Sequence, residues 1–285
     1  MSAQTDVLRY AAFTDTATGG NPAGVVLDAA ALGDQQMLEI ARALGYSETA
    51  FLTRRQRAPH EYDVRYFSPE AEVPFCGHAT IAAAVALADH DGATGALVFH
   101  VSAGPVAVST APDGNGVMTA SLTSVVAHIE GASDDLVDEA LAALGWSRAD
   151  LDPELPPRIA YAGARHLILG AAARGRLATL DYDFDRLKAA MLGIDLTTVA
   201  LVWRERDDLY HARNPFPVGG VYEDPATGAA AAAFGGYLRS LELISPPARV
   251  TVLQGHDMGR PSLLILDIPP GDTGITVTGR AVPIP

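Results

Sequence analysis

Residues 76–88, "CGHATIAAAVALA", and residues 227–238, "TGAAAAAFGGYL", decide how this chain is read. Each stretch is entered through glycine and is rich in alanine, and each predicts a helix that is apolar on nearly every face. A helix without a polar stripe is buried on all sides. Each also follows a strand-like segment and a proline-containing loop, "SPEAEVPF" before the first and "VYEDPA" before the second. The layout recurs without long identity, so two readings stand: a duplicated domain, or two unrelated buried helices in one α/β fold.

Around the first helix, 7–13 and 24–28 read as short strands beside the turn-rich "TDTATGGNPAG". "DQQMLEIARALG" (34–45) has Met37, Leu38, Ala41 and Leu44 at helical spacing and a glycine stop. "ETAFLTR", "EYDVRYFS", 96–102, 105–110 and 116–122 read as strands. Beyond "TSVVAHIEGAS", "DDLVDEALAALG" and "DFDRLKAAML" read as helices, with "RIAYAG", "RHLILG" and "TVALVWRE" as strands. The stretch "NPFPVGGVYEDPATG" reads as a Gly/Pro-rich loop feeding the second buried helix, and "ARVTVLQG", "SLLILDI" and "GITVTGRAV" close the chain as strands. The expected domains are 1–125, completed by 272–285, and 126–271.

A net charge of −14 argues against nucleic acid and against anionic membranes, both of which call for a basic face. No run reaches the roughly 18 apolar residues of a membrane span. "MSAQTDVLRYAAF" lacks the cationic start and apolar core of a secretory signal. A soluble, cytoplasmic protein is expected. The single cysteine, Cys76, cannot form an internal disulfide, and the eight histidines are scattered singly, so no metal site is expected.

The chemistry gathers at the two helix starts. A helix N-terminus offers free backbone N–H groups and the positive end of the macrodipole, and glycine lets an anion approach closely. Gly77-His78-Ala79 and Gly228-Ala229-Ala230 could therefore hold a small carboxylate and stabilise charge developing during proton abstraction. Ordinary close helix packing explains the same residues. Glu48, in "ALGYSETAFL", follows a helix end and precedes an apolar strand; desolvation there would bring it towards acid/base duty, while a solvated strand-edge glutamate is the plainer reading. Asp224 precedes the second helix as either a dipole partner or a proton shuttle. His78 is either a functional imidazole or a hydrogen-bonded capping residue. The chain has no Gly-x-Ser-x-Gly elbow, no Walker lysine loop and no His-Glu-x-x-His helix.

The ordered blocks "GGNPAGVV" (19–26), "YSETAFL" (46–52), "RYFSPEAEVPFCGHAT" (65–80), "GVYEDPATG" (220–228) and "QGHDMGRPS" (254–262) resemble the PhzF-type phenazine-biosynthesis isomerases over essentially the whole chain. That family is similar in fold to diaminopimelate epimerase. The resemblance implies an α+β fold of two pseudo-symmetric domains, each a strongly curved sheet around a central helix, with the active site in a cleft between them. It implies a homodimer, a small carboxylate substrate, and no metal or organic cofactor. It implies Glu48 as the acid/base, with His78 and Asp224 as its catalytic partners. Asn21, Cys76, Gly77, Thr227, Gly228 and Ala229 become the substrate-binding positions. Many members carry serine where this chain has Ala229; the backbone amide survives, but a hydroxyl is gone, which bears on the substrate more than on the fold. A two-cysteine racemase mechanism is the alternative, as is a non-catalytic small-anion-binding protein. Against the racemase, the position matching Cys76 is Thr227, whose hydroxyl is a far weaker acid than a thiol.

Overall fold

A computed structural model describes residues 5–92 and 94–285. The chain divides into two compact units, one running to Thr123 and including Thr278–Pro285, the other Ser124–Val277. In unit 1 the elements are β1 (Leu8–Ala12), β2 (Asn21–Val26), α1 (Asp34–Leu44), β3 (Glu48–Arg54), β4 (Glu61–Phe67), β5 (Glu72–Val73), α2 (Gly77–Asp91), β6 (Gly95–Val101) and β7 (Gly104–Pro112). β8 (Met118–Val126) leads out of it. Unit 2 holds β9 (His128–Gly131), α3 (Asp134–Leu144), β10 (Arg158–Tyr161), β11 (Arg165–Gly170), α4 (Arg174–Ala178), α5 (Phe184–Leu192), β12 (Thr198–Arg206), β13 (Leu209–Phe216), β14 (Val221–Asp224), α6 (Gly228–Ser240), β15 (Ala248–Gln254) and β16 (Ser262–Ile268). β17 (Gly274–Pro283) returns the chain to unit 1.

In unit 1 the strands pair in the order β17-β1-β2-β3-β4-β6-β7-β8, and β8 pairs β17, so the sheet closes on itself. The pairs β2/β3 and β4/β6 are parallel and the others with recorded registers are antiparallel. Helix α2 fills the closed sheet: every residue from His78 to Ala88 is buried, and it packs on β1, β2, β3 and β7. Alanines let the strands approach the helix axis. Ile81, Val85 and Leu87 supply larger apolar surface, about 1.5–3 kcal/mol each on burial. On the outer side, Met37 and Ala41 of α1 join Val26, Ala29, Phe51 and Phe67 in a second apolar cluster.

Unit 2 repeats that pattern. Its order is β9-β10-β11-β12-β13-β15-β16, again with two parallel pairs, β11/β12 and β13/β15. Strand for strand, β17-β1-β2-β3-β4-β6-β7 matches this series in direction. Helix α6 plays the part of α2, packing on β9, β10, β11 and β16. Gly236 is where a side chain would not fit, since a Cβ there would stand 2.2 Å from that of Ala127. A layer of α3 and α5 covers the other face through Leu141, Leu144, Leu187 and Met191. The duplicated-domain reading therefore holds at the level of topology.

The sequence expectation fails at one place. "NPFPVGGVYEDPATG" is not a loop throughout: Leu209–Phe216 is strand β13 and Val221–Asp224 is strand β14. Proline has no N–H to donate and belongs at strand ends and irregularities. Pro215 meets that condition, because the β13/β14 register shifts between Pro215 and Phe216. The strands β9 and β5 and the short helix α4 likewise carry too few residues to show a period. No helix among the described residues is long and apolar enough to cross a membrane.

Candidate active site

Helix α1 ends on Gly45 in the left-handed conformation (φ 69°), which turns the chain back towards the sheet. Glu48 then opens β3, in parallel register with Ala23 of β2. Its side chain is 18% exposed, so the carboxylate stands at the rim of the core and still meets solvent. Asn21 begins β2, two residues before Ala23, and is buried.

Cys76 is the N-cap of α2, in extended conformation, and its side chain makes no capping bond to the helix. Its carbonyl is fixed instead: the Thr80 hydroxyl donates to it at 2.7 Å, and the Tyr66 phenol, 2.6 Å from that hydroxyl, completes the chain by donating to Thr80. Burial pushes the Tyr66 phenol above its ordinary pKa, which keeps it a donor. The thiol is thus left to face Glu48 and His78. Cys76 Sγ lies 3.4 Å from Glu48 Oε2 and 3.3 Å from His78 Nδ1. His78 Nε2 lies 3.4 Å from Glu48 Oε2 and 3.3 Å from Ser47 Oγ. The carboxylate, thiol and imidazole expected from the sequence are therefore in one cluster. Charge-assisted N–H···O bonds run about 2.7–2.9 Å, so the 3.4 Å separation of Glu48 from His78 is longer than a close ion pair.

Unit 2 builds its helix start differently. Asp224 ends β14 opposite Asn214, and Thr227 is the N-cap of α6. The Thr227 hydroxyl donates to Asp224 Oδ2 at 2.6 Å and accepts from Gln254 Nε2 at 2.9 Å. Gln254 also receives the Thr227 N–H on its Oε1 (3.1 Å) and donates to the Asp224 carbonyl (2.7 Å). One buried amide thus ties the end of β14 to the start of α6. Beside it, Glu223 forms a two-point pair with Arg213, at 2.9 and 2.5 Å, and Arg213 reaches the Ala178 carbonyl at 2.7 Å. Gly228 is buried and Ala229 half-buried at the first turn.

Behind Asn214 lies a buried chain of groups. Thr198 Oγ1 donates to Asn214 Oδ1 (3.0 Å), so it accepts from His166 Nδ1–H at 2.7 Å. His166 Nε2 is buried without a hydrogen-bond partner, and burial pushes the imidazole down to about 3. That histidine is neutral.

Ser47, Gln254 and the Arg213–Glu223 pair were missed at the sequence level. Ser47 adjoins Glu48 in "YSETAFL", and Gln254 opens "QGHDMGRPS", but neither residue type alone declares a role.

A sheet curled around a buried helix, built twice in one chain, is an epimerase-like fold, and in the first unit a thiol and an imidazole at the helix start stand beside the Glu48 carboxylate of β3. The hydroxyproline epimerase of Agrobacterium vitis shares the fold, with a TM-score of 0.65 at 13% identity over 98% of this chain and 90% of that one. The PhzF-family phenazine biosynthesis protein of Bacillus anthracis superposes with a TM-score of 0.89 at 23% identity, covering 98% and 96%. The chain belongs to the phenazine biosynthesis-like (PhzC-PhzF) family, whose sequence model matches residues 10–285. An uncharacterized isomerase of Mesorhizobium japonicum is 31% identical over 92% of this chain and 89% of its own length. The trans-2,3-dihydro-3-hydroxyanthranilate isomerase of Pseudomonas chlororaphis is 30% identical over 89% and 86%. The chain is an isomerase of this family.

Proposed function

We propose that this isomerase moves a proton on a small carboxylate substrate, with Glu48 as the general acid/base. The observation that carries the reading is the position of the Glu48 carboxylate: at the rim of the core, 3.4 Å from His78 Nε2 and beside the start of the buried helix α2. The first-turn N–H groups of such a helix have no intrahelical partner and stabilise an anion. Removing a proton next to a carboxylate creates an enolate, and fixed donors stabilise it where it forms. His78 positions the Glu48 carboxylate and shares its proton. Asn21, Cys76 and Gly77 complete the proposed substrate contacts in this unit, and the family resemblance further proposes Asp224, Thr227, Gly228 and Ala229 as substrate-binding positions. The Pseudomonas chlororaphis relative makes trans-2,3-dihydro-3-hydroxyanthranilate the first substrate to try. A homodimer is part of the same family-based reading, which light scattering decides, and cytoplasmic location is the reading of the sequence.

The test is hydrogen exchange in D2O. A panel of small carboxylic acids, headed by that anthranilate, is incubated with the enzyme and followed by NMR. Deuterium entering carbon positions with the wild type, and not with Glu48→Gln, supports the proposal. Undiminished exchange in Glu48→Gln overturns it.

A racemase reading has one observation in its favour, the thiol at the start of α2. It needs a second base of matching strength. Thr227 stands at the corresponding N-cap, and its proton is already given to Asp224.

A further inference from the structure

We propose that Glu48, Cys76 and His78 form a three-ligand site for a thiophilic divalent cation, Zn2+ above all, through which the metal inhibits the enzyme. The sequence argues against any metal site, because it has one cysteine and its eight histidines are scattered singly. The third ligand comes instead from β3, and one ligand atom from each side chain lies within 4.8 Å of the others.

The geometry is specific. A tetrahedral zinc, with Zn–S about 2.3 Å, Zn–N about 2.0–2.1 Å and Zn–O about 2.0–2.2 Å, holds its ligand atoms about 3.4–3.6 Å apart. Here Sγ–Oε2 is 3.4 Å, Nε2–Oε2 is 3.4 Å and Sγ–Nε2 is 3.8 Å. These separations are close to the corner-to-corner distances of such a tetrahedron, and since Sγ also lies 3.3 Å from Nδ1, beside the ring rather than in front of Nε2, the imidazole must turn to aim Nε2 at the metal. Thiolate, imidazole and carboxylate together suit zinc, whereas magnesium and calcium prefer oxygen alone. Three protein ligands leave the fourth position to water. The Glu48 carboxylate is the most exposed of the three ligands and gives the cation its entrance. On binding, the thiol proton passes to solvent, His78 coordinates as neutral imidazole, and the Glu48 carboxylate is engaged by the metal.

Inhibition rests on Glu48 being the base; metal binding does not. The test therefore starts with Co2+ as a spectroscopic probe, without substrate. The wild type is expected to show a thiolate-to-cobalt charge-transfer band and intense tetrahedral visible bands that saturate at one equivalent, and Zn2+ should displace both. Because Cys76 is the only thiol, its loss is not diagnostic. The diagnostic variants are His78→Asn and Glu48→Gln, checked for folding by circular dichroism. Each should weaken Co2+ by no less than the roughly 10- to 100-fold that removing even an outer partner of a ligand produces. Zn2+ should also compete with substrate in the exchange assay. No charge-transfer band at large excess, or unchanged affinity in both variants, overturns the metal site. A normal band in a protein whose turnover ignores Zn2+ overturns the inhibitory role and points back at the acid/base assignment.

Discussion

Glu48 and its counterpart in the repeat show what distinguishes the two helix starts. Glu48 is the first residue of β3, and the first residue of the matching strand β12 is Thr198, whose hydroxyl is absorbed by His166 and Asn214. Cys76 and Thr227 are likewise matching N-caps, one a thiol facing a carboxylate, the other a hydroxyl giving its proton to Asp224. The carboxylate that opens this strand thus belongs to unit 1 alone, and the carboxylate of unit 2, Asp224, comes from a different strand. Glu48→Gln is expected to lower turnover by about 10²- to 10⁴-fold, the usual contribution of a general base. Cys76→Ser should lower it far less, since the thiol is a neighbour of the base rather than the base; steady-state rates for the two variants side by side check this, and equal losses would refute it. His166 supports a separate prediction about stability. Its pKa is pushed down to about 3 from an ordinary 6.5, so between those values the unfolded chain binds a proton that the folded chain does not. The neutral imidazole's contribution is complete above about pH 6.5 and is lost as pH falls towards 3, with a slope of up to about 1.4 kcal/mol per pH unit. Urea unfolding across that range should show a shallower pH slope for His166→Asn than for the wild type.

At the scale of elements, the end of β14 is anchored by a buried ion pair. Arg213 and Glu223 are 6% and 8% exposed, so neither charge has water to fall back on. Removing one partner leaves the other buried and unpaired, and Arg213→Met is expected to cost about 3–5 kcal/mol of unfolding free energy. Arg213→Met with Glu223→Leu should recover much of that loss, because the uncompensated charge is gone; denaturant titration of the wild type and both variants measures the difference. Gly255 supports the same strand end. Its φ is 74°, and a Cβ there would lie 2.3 Å from the Arg260 carbonyl and 2.7 Å from that of Pro225. Gly255→Ala must therefore shift backbone beside Gln254 and Asp224, lowering both stability and turnover. These features also mark where the sequence stopped being readable. The helices α2 and α6 were legible because alanine and glycine without a polar face have one use in a soluble fold. Glu48, Cys76 and His78 were legible singly, through their motif, while the closeness of Cys76 to Glu48 came only with the turn at Gly45. β13 and β14 were hidden because Asn214, Pro215 and Pro217 read as breakers, and pairing with β12 and β15 overrode that local signal. Gln254 was hidden because an amide's role depends on what folds around it.

At the scale of the whole chain, the last residues close the first unit. β17 lies beside β1, with Ala12 opposite Ala281 and Tyr10 opposite Pro283, and Phe13 N–H donates to the Arg280 carbonyl at 2.7 Å. Arg280 pairs with Asp113, the Thr278 hydroxyl meets that of Ser121 at 2.7 Å, and the Phe13 ring packs where a Cβ on Gly279 would stand, 2.2 Å from its Cδ1. Without this strand, β1 and β8 become open edges, with unpaired backbone groups and the buried Ala11 and Ala12 close to water. A chain truncated after Val277 keeps every residue of unit 2 and loses only Thr278–Pro285 from unit 1. Its defect should therefore be confined. Hydrogen exchange should show amides of β1, β2 and β8 losing protection, while those of β10, β11 and β12 keep theirs, since proteins open in contiguous cooperative units. Because Glu48 sits in the register of β2, loosening that strand should also reduce proton exchange in the D2O assay. Full protection of β1 in the truncated chain would show that unit 1 does not depend on its returning strand. Equal loss in β10–β12 would show that the two units unfold as one.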